Sequence, residues 1–360
     1  MIFAFVLTNL SGGGAEKAVL KTAAALAGRG HETHVVLLED RADYPVPAGV
    51  HKHAVTAAGK SASKGWLGKR LLARRLSSCI AGLHPDLVVS TLPFADEVAT
   101  LARLPNHWCR IANTLSVEID KLAARSPAKA ARRRARYRAI YGRRPLIAVS
   151  GGVATDLREA LQLTSRIETI ANPFDAAAIR SAAQAAAPGR PGEPYVLHVG
   201  RFASQKRHDL LLDAWQQIDP AYRLVLLTSP EPKLAAMIAE RRLGERVTVA
   251  GFQPNPYPWM AGARLLVLCS DHEGLPNVLI ESLLCGTPVV STDCPSGPRE
   301  ILADTLPQAL VPCGDVAALA RAIAHSLVSP PDIATLDLSR YGAEHTAAAY
   351  EQIAGSGGQG

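Results

Sequence analysis

Two carboxylates and two cations stand in the second half of the chain at spacings that could do chemistry together. In Asp271-His-Glu-Gly-Leu-Pro-Asn-Val-Leu-Ile-Glu281, an apolar strand ending at Cys269 gives way to a polar loop and then to a helix. Pro276 suits the first helical position and Gly286 a left-handed helix end, so Glu273 falls in the loop and Glu281 on the helix. The unpaired amides of Gly274 to Val278 would face a crevice beyond the strand ends, which suits phosphate oxygens. A carboxylate beside them can accept hydrogen bonds from sugar hydroxyls. Upstream, Gly200-Arg201-Phe-Ala-Ser-Gln-Lys206 follows another strand directly. A planar guanidinium and a point-charge ammonium in one strand-to-helix loop can clamp a diphosphate and offset the charge on a leaving group. A third element, Gly12-Gly13-Gly14, would let backbone come close to a bound group at a helix start. It is not G-x-G-x-x-G, because Lys17 stands where the last glycine belongs, so a dinucleotide fingerprint is disfavoured.

The elements that must position these residues read as two α/β domains. Ile2 to Leu7, the glycine turn, a helix from Ala15 to Gly28 and a strand at His34 to Leu38 make a βαβ unit, which implies a parallel sheet. Further strands are expected at Leu87 to Ser90, His107 to Ala112 and Leu146 to Ser150. After a turn-rich stretch at Ala186 to Pro194 the cycle restarts. Strands are expected at Tyr195 to Val199, Arg223 to Leu227, Val247 to Ala250, Arg264 to Cys269 and Pro288 to Ser291, with helices between them. The boundaries that follow are 1–171 for the first domain and 172–337 for the second. A last helix at 338–354 is free to pack elsewhere, and 355–360 form a flexible tail. His198 reads as a packed strand histidine.

A chain of 360 residues with 48% hydrophobic and 20% charged residues is that of a globular protein with two cores. No run reaches the roughly 18 apolar residues of a membrane span, and Ile2 to Leu7 reads as a buried strand rather than a signal peptide. The six cysteines show no metal-ligand spacing and imply reduced thiols in a cytoplasm. Residues 1–172 carry 25 basic and 13 acidic side chains, which leaves 14 and 19 to the remainder. The basic excess therefore lies wholly in the first half and points to an anionic partner there.

In order and spacing, Arg201 through Lys206, Asn255-Pro-Tyr-Pro-Trp-Met, Glu273 through Glu281, and Gly-Thr-Pro-Val-Val-Ser-Thr-Asp-Cys-Pro-Ser-Gly-Pro-Arg-Glu300 resemble the donor-domain signatures of glycosyltransferase family 4. Ser11-Gly-Gly-Gly-Ala-Glu16 is similar to its first-domain loop. The resemblance covers nearly the whole chain and implies the GT-B fold, two doubly wound Rossmann-like domains facing a central cleft, with the acceptor on the first, a nucleotide sugar on the second and the last helix, 338–354, packing back on the first. It implies Arg201 and Lys206 on the donor diphosphate, Glu281 on the ribose and Glu273 at the transferred sugar, so that Glu273, Arg201 and Lys206 carry catalysis. Gly274, Leu275, Pro276 and Asn277 would give backbone contacts. Gly251, Phe252 and Asn255 would flank the base, and Gly13 and Gly14 would approach the donor from the first domain. The family retains anomeric configuration, usually without a metal, and no Asp-x-Asp pair stands here to hold one. No cofactor is expected. Relatives often carry a histidine or a Glu-Arg pair where this chain has Arg110-Ile-Ala-Asn113-Thr114, so no base is assigned and Asn113 is a candidate acceptor contact.

Two basic stretches remain. One runs from Arg125 to Arg144 without an acid and includes Arg132, Arg133, Arg134 and Arg136; the other holds Lys60, Lys64, Lys69, Arg70, Arg74 and Arg75, with Trp66 and Leu67 among them. Such runs are more often solvated helix faces, yet several together could hold a protein at an anionic membrane. The expectation is a cytoplasmic, metal-independent hexosyltransferase, peripheral on the inner membrane face, that moves a hexose or N-acetylhexosamine from a donor taken as UDP-linked to a lipid-linked glycan of a bacterial surface polysaccharide. Rival readings are a nucleotide-sugar epimerase of the same architecture, a basic nucleic-acid-binding protein and an inactive donor-binding relative. The nucleic-acid reading leaves the donor motifs unexplained and lacks interleaved stacking aromatics.

Overall fold

The computed structural model describes residues 1–11, 13–57, 59–61, 65–219 and 221–356, so Gly12, Lys64 and the last part of the tail lie outside the described residues. The chain divides into two compact units, Met1–Phe174 with Ser339–Gly360, and Asp175–Leu338.

The first unit is built on a seven-stranded sheet of β1 (Ile2–Leu7), β2 (Glu32–Leu37), β3 (Val50–Ala54), β4 (Leu87–Thr91), β5 (His107–Ile111), β6 (Leu146–Ala148) and β7 (Ile167–Thr169). The strand order is β3-β2-β1-β4-β5-β6-β7 and every pairing is parallel. Runs such as Phe-Ala-Phe-Val-Leu in β1 are buried on both faces, as a sheet covered twice requires. One face is covered by α1 (Gly14–Gly28); the other is covered by α2 (Trp66–Leu83) and α3 (Pro93–Leu101). After β5 come α4 (Leu115–Ala123) and α5 (Pro127–Tyr141), and after β6 the short α6 (Gly151–Thr155).

The second unit holds α7 (Ala176–Ala182) and a six-stranded parallel sheet. Its strands are β8 (Tyr195–Val199), β9 (Arg223–Leu227), β10 (Val247–Val249), β11 (Leu265–Leu268), β12 (Val289–Thr292) and β13 (Leu310–Val311), in the order β10-β9-β8-β11-β12-β13. Its other helices are α8 (His208–Trp215), α9 (Pro232–Glu240), α10 (Tyr257–Ala261), α11 (Asn277–Leu284), α12 (Pro298–Leu302) and α13 (Val316–Val328). The last helix, α14 (Ala343–Ser356), belongs to the first unit. It buries Ala347, Tyr350 and Ile353 in the same cluster as Val19, Ala23 and Leu26 of α1, and Arg29 meets Glu351 at 2.6 Å. Among the described residues no helix is long and apolar enough to cross a membrane.

A polar network lies inside the first unit. Asp96, fully buried, accepts from Ser90 Oγ at 2.6 Å and from Tyr141 Oη at 2.9 Å, and His107 Nε2 lies 2.8 Å from the same Ser90 hydroxyl. Burial pushes the Asp96 carboxyl up to about 7, against the pull of its two hydrogen bonds. The folded state therefore keeps a proton that the unfolded chain gives up near 3.8, and the stability this proton confers is lost as pH rises from about 4 through about 7. Buried histidines such as His107, held down at about 3, push the parent's profile the other way below their ordinary pKa. The comparison of variant with parent isolates Asp96. Asp96→Asn cannot ionise and can still accept from Ser90 while donating to Tyr141. Its stability relative to the parent, followed through Tm, is expected to climb across that window, by about 1.4 kcal/mol per pH unit at most. A pH-independent difference in Tm would refute the assignment.

Candidate active site

Both sheets reverse their winding once, between β1 and β4 in the first unit and between β8 and β11 in the second. At such a point the loops leaving the two central strands turn to opposite faces and open a crevice at the carboxyl ends. In the second unit those loops are 200–207 after β8 and 269–276 after β11, which hold the cations and the carboxylate that the sequence singles out.

The two loops are stitched together. Asp271 N donates to Gln205 O at 2.9 Å, Gln205 Nε2 donates to His272 O at 2.5 Å, and Cys269 Sγ donates to Lys206 O at 3.1 Å. Arg207, in a left-handed conformation with φ of 46°, ties the far side by ion pairs to Asp209 and Asp271, both at 2.9 Å. Lys206 Nζ is thereby brought to 2.6 Å from Glu273 Oε1, with the two side chains only 19% and 10% exposed. Arg201, by contrast, is exposed and makes no ion pair among the described residues.

A third loop closes on the same place. Glu273 N donates to Pro295 O at 3.2 Å, and Gly297, at φ of 100°, approaches so closely that a Cβ would sit 2.3 Å from Pro276 Cδ. Helix α11 begins at Asn277 with Pro276 as its cap, one residue later than its sequence suggests, because Pro276 keeps an extended ψ of 85°. Its end at Gly286 is left-handed, as expected. Glu281 lies along α11 and accepts from Tyr257 Oη at 3.2 Å. Burial first, and then the Glu281 charge, drive the Tyr257 phenol above its ordinary range, so it stays a donor. Asn255 spends both ends of its amide locally: Nδ2 donates to Ala182 O at 2.9 Å and Oδ1 accepts from Tyr257 N at 3.2 Å. It thus fixes the loop that presents Gly251, at φ of 78°, and Phe252, 61% exposed. Tyr257 and Gly297 are the residues that sequence reasoning missed. Both lie inside the motif segments, but only the packing reveals one holding a carboxylate and the other admitting a loop.

Beneath Lys206, His198 and His208 meet edge to face at 4.8 Å. His198 Nδ1 lies 2.9 Å from Val267 O, and its Nε2 has no partner among the described residues. Burial first holds both down, His198 at about 3 with help from the charges of His208 and Lys206, and His208 at about 4 with help from that of Lys206. Both are neutral at working pH and pack against each other beneath the loop.

In the first unit, Gly13 N donates to Glu16 Oε2 at 3.1 Å, the glutamate half of a capping box, where α1 opens at Gly14. Asn113 Nδ2 donates weakly to Glu118 Oε1 at 3.4 Å, while its buried Oδ1 has no partner among the described residues. Of the α5 arginines, Arg133 donates to Tyr137 Oη at 3.3 Å, Arg134 to Ala160 O at 2.9 Å, and Arg136 pairs with Glu97; Arg132 is exposed. Among the described residues no group of three or more His, Cys, Asp or Glu side chains is placed to hold a metal ion.

Two doubly wound parallel sheets, each with its own switch point, are the architecture of the GT-B fold. The family described as Glycosyltransferase Family 4 matches residues 12–178, and the one described as Glycosyl transferases group 1 matches residues 193–328. The chain belongs to glycosyltransferase family 4. Over 301 residues, 82% of each chain, it is 27% identical to N-acetylgalactosamine-N,N'-diacetylbacillosaminyl-diphospho-undecaprenol 4-alpha-N-acetylgalactosaminyltransferase of Campylobacter jejuni. Its fold is similar to that of sucrose-phosphate synthase from Thermosynechococcus elongatus, with a TM-score of 0.73 and 22% identity over 99% of this chain and 97% of that one. It is also similar to Anabaena HepE in complex with UDP and glucose, with a TM-score of 0.68 and 22% identity over 100% and 97% of the two chains.

Proposed function

We propose that this glycosyltransferase moves a hexose or N-acetylhexosamine from a UDP-sugar to a hydroxyl of a lipid-linked glycan, with retained configuration and without a bound metal, at the cytoplasmic face of a bacterial membrane. The observation that carries the reading is the Lys206–Glu273 pair at the mouth of β8 and β11, beside the start of α11. Lys206 and Arg201 neutralise the diphosphate as the bond from the anomeric carbon to phosphate breaks and its electron pair leaves with the nucleotide. The acceptor oxygen bonds to the anomeric carbon, and its proton passes to the departing phosphate. Glu273, which tethers Lys206, also accepts from a hydroxyl of the transferred sugar. Glu281, oriented by Tyr257, takes the ribose hydroxyls. The open face of Phe252 offers the base a stacking surface. The UDP and glucose bound by HepE and the undecaprenol-linked acceptor named for the Campylobacter relative support the choice of donor and acceptor class.

The test is a thermal-shift series with UDP-, GDP- and ADP-linked sugars. A UDP-sugar at about a hundred times its Kd is expected to raise Tm by about 5 °C or more, by mass action. Glu281→Ala is expected to shrink that shift at equal ligand while leaving the ligand-free Tm within about 1–2 °C, since the side chain is only partly buried on the surface of α11. If no nucleotide sugar stabilises the parent, the donor assignment is wrong; if a GDP- or ADP-sugar does so instead, only the base is.

A further inference from the structure

Of the large hydrophobic side chains exposed among the described residues, three crowd into the first two turns of α2: Trp66 at 65%, Leu67 at 73% and Leu71 at 51%. Single exposed leucines are ordinary, but a Trp-Leu-Leu cluster on one helix face is not. The helix buries Leu72, Ala73, Leu76 and Ile80 against the sheet, so Leu67, Leu71, Arg74 and Arg75, at helical spacing, form the opposite and outward stripe. Its charges are one-sided. Residues 66–83 contain Lys69, Arg70, Arg74 and Arg75 and no acid. Lys69 is spent on Glu97 at 2.8 Å, whereas Arg70, Arg74 and Arg75 are exposed and have no ion pair among the described residues. The Arg70 guanidinium lies 4.2 Å over the Trp66 ring, so cation and indole are presented side by side. The arginine run on α5, by contrast, is largely consumed inside its own unit by Ala160 O, Leu161 O, Tyr137 and Glu97.

We propose that the outer face at the start of α2 is the surface through which the protein lies on an anionic lipid bilayer. Trp66, Leu67 and Leu71 enter the headgroup boundary while Arg70, Arg74 and Arg75 meet lipid phosphates. A protein partner would cover this apolar stripe equally well, but exposed arginines without ion pairs, one of them over the indole and two further along the same face, match a negative interface, where Trp keeps its ring in the apolar layer and its N–H in the wet one. The α5 arginines do not carry the attachment. This inference rests on the peripheral-membrane reading above and names the surface for it.

Full-length protein is sedimented with vesicles of phosphatidylglycerol and phosphatidylcholine, and with phosphatidylcholine alone, at low and high salt. The parent is expected to pellet only with the anionic vesicles and to release at high salt. The fluorescence is specific to the site, because Trp108, Trp215 and Trp259 are buried and Trp66 is not. Its emission is expected to move to the blue with anionic vesicles, unaltered by free glycerol phosphate, and the movement is expected to vanish in Trp66→Phe. Arg70→Gln/Arg74→Gln/Arg75→Gln is expected to lower partitioning about a hundredfold, from about fivefold per charge, and Leu67→Ser/Leu71→Ser at least about tenfold. Both sets are solvent-facing, so Tm and UDP-sugar binding serve as controls that the variants fold. A parent that never pellets overturns the peripheral reading itself. A parent that pellets while both variants pellet equally well overturns only the assignment to α2.

Discussion

Lys206→Ala is expected to lower kcat/KM about a thousandfold, with most of the loss in kcat. In the proposed reaction negative charge accumulates on the diphosphate as the glycosidic bond breaks, and a single preorganised donor at such a place is worth roughly a hundred- to a thousandfold. Lys206 stands at the upper end for a reason specific to this site. Its removal takes from Glu273, 10% exposed, the cation 2.6 Å away that offsets its charge toward the incoming phosphates. Lys206→Arg keeps the charge, but the fork cannot take the place of a point charge packed along Gly200, and it is expected to restore only part of the loss. Adding Glu273→Gln to Lys206→Ala is expected to cost far less than Glu273→Gln does in the parent, because the two side chains act as one unit. Steady-state kinetics with donor and acceptor varied separately decide the matter. A rise in donor KM at unchanged kcat would mean that Lys206 binds ground state and transition state alike, and additive losses would mean that the ion pair has no part in the chemistry.

Much of this site could be read from the chain because its parts obey local rules. Long aliphatic runs marked β1, β8 and β11, and glycine and proline marked where the chain turns, so the loops carrying Lys206 and Glu273 could be placed at strand ends. Three strands escaped. β3, Val-His-Lys-His-Ala, is an edge strand with polar exposed positions, and β7 and β13 are only three and two residues long, too short for any period to show. Roles that depend on packing were equally hidden. No spacing rule says that Asn255 turns its amide back to Ala182, that Tyr257 reaches Glu281 from 24 residues away, or that most of the α5 arginines are tied down while those of α2 are not. Charge counting detects an excess of arginine; only the fold separates the arginines bonded to carbonyls from those left facing water.

Gly297→Ala is expected to be the most damaging single methyl in the second unit. At φ of 100° an L side chain is strained wherever it points, which costs about 1–3 kcal/mol. The added Cβ would also fall 2.3 Å from Pro276 Cδ and 3.3 Å from both Gly274 O and Leu275 Cα. Pro276 is a ring locked at the cap of α11 and the other two atoms are backbone, so nothing flexible can yield, and overpacking adds about 1–3 kcal/mol. Together these predict a loss of about 2–6 kcal/mol, or a fall in Tm of about 4–24 °C for a unit of this size. Relief can come in two ways, and both damage the site. Either 274–276 retreats and moves Glu273 off Lys206, or 295–297 swings out and breaks the bond from Glu273 N to Pro295 O. A surviving fold should therefore show a raised donor KM together with a lower kcat. Pro276→Ala in the same molecule removes the atom in collision but not the φ strain, so the pair is expected to regain part of the lost Tm and of the donor affinity. A Gly297→Ala protein with parental Tm and parental kinetics would mean that the two loops do not press together as described, and that Glu273 owes its position to something else.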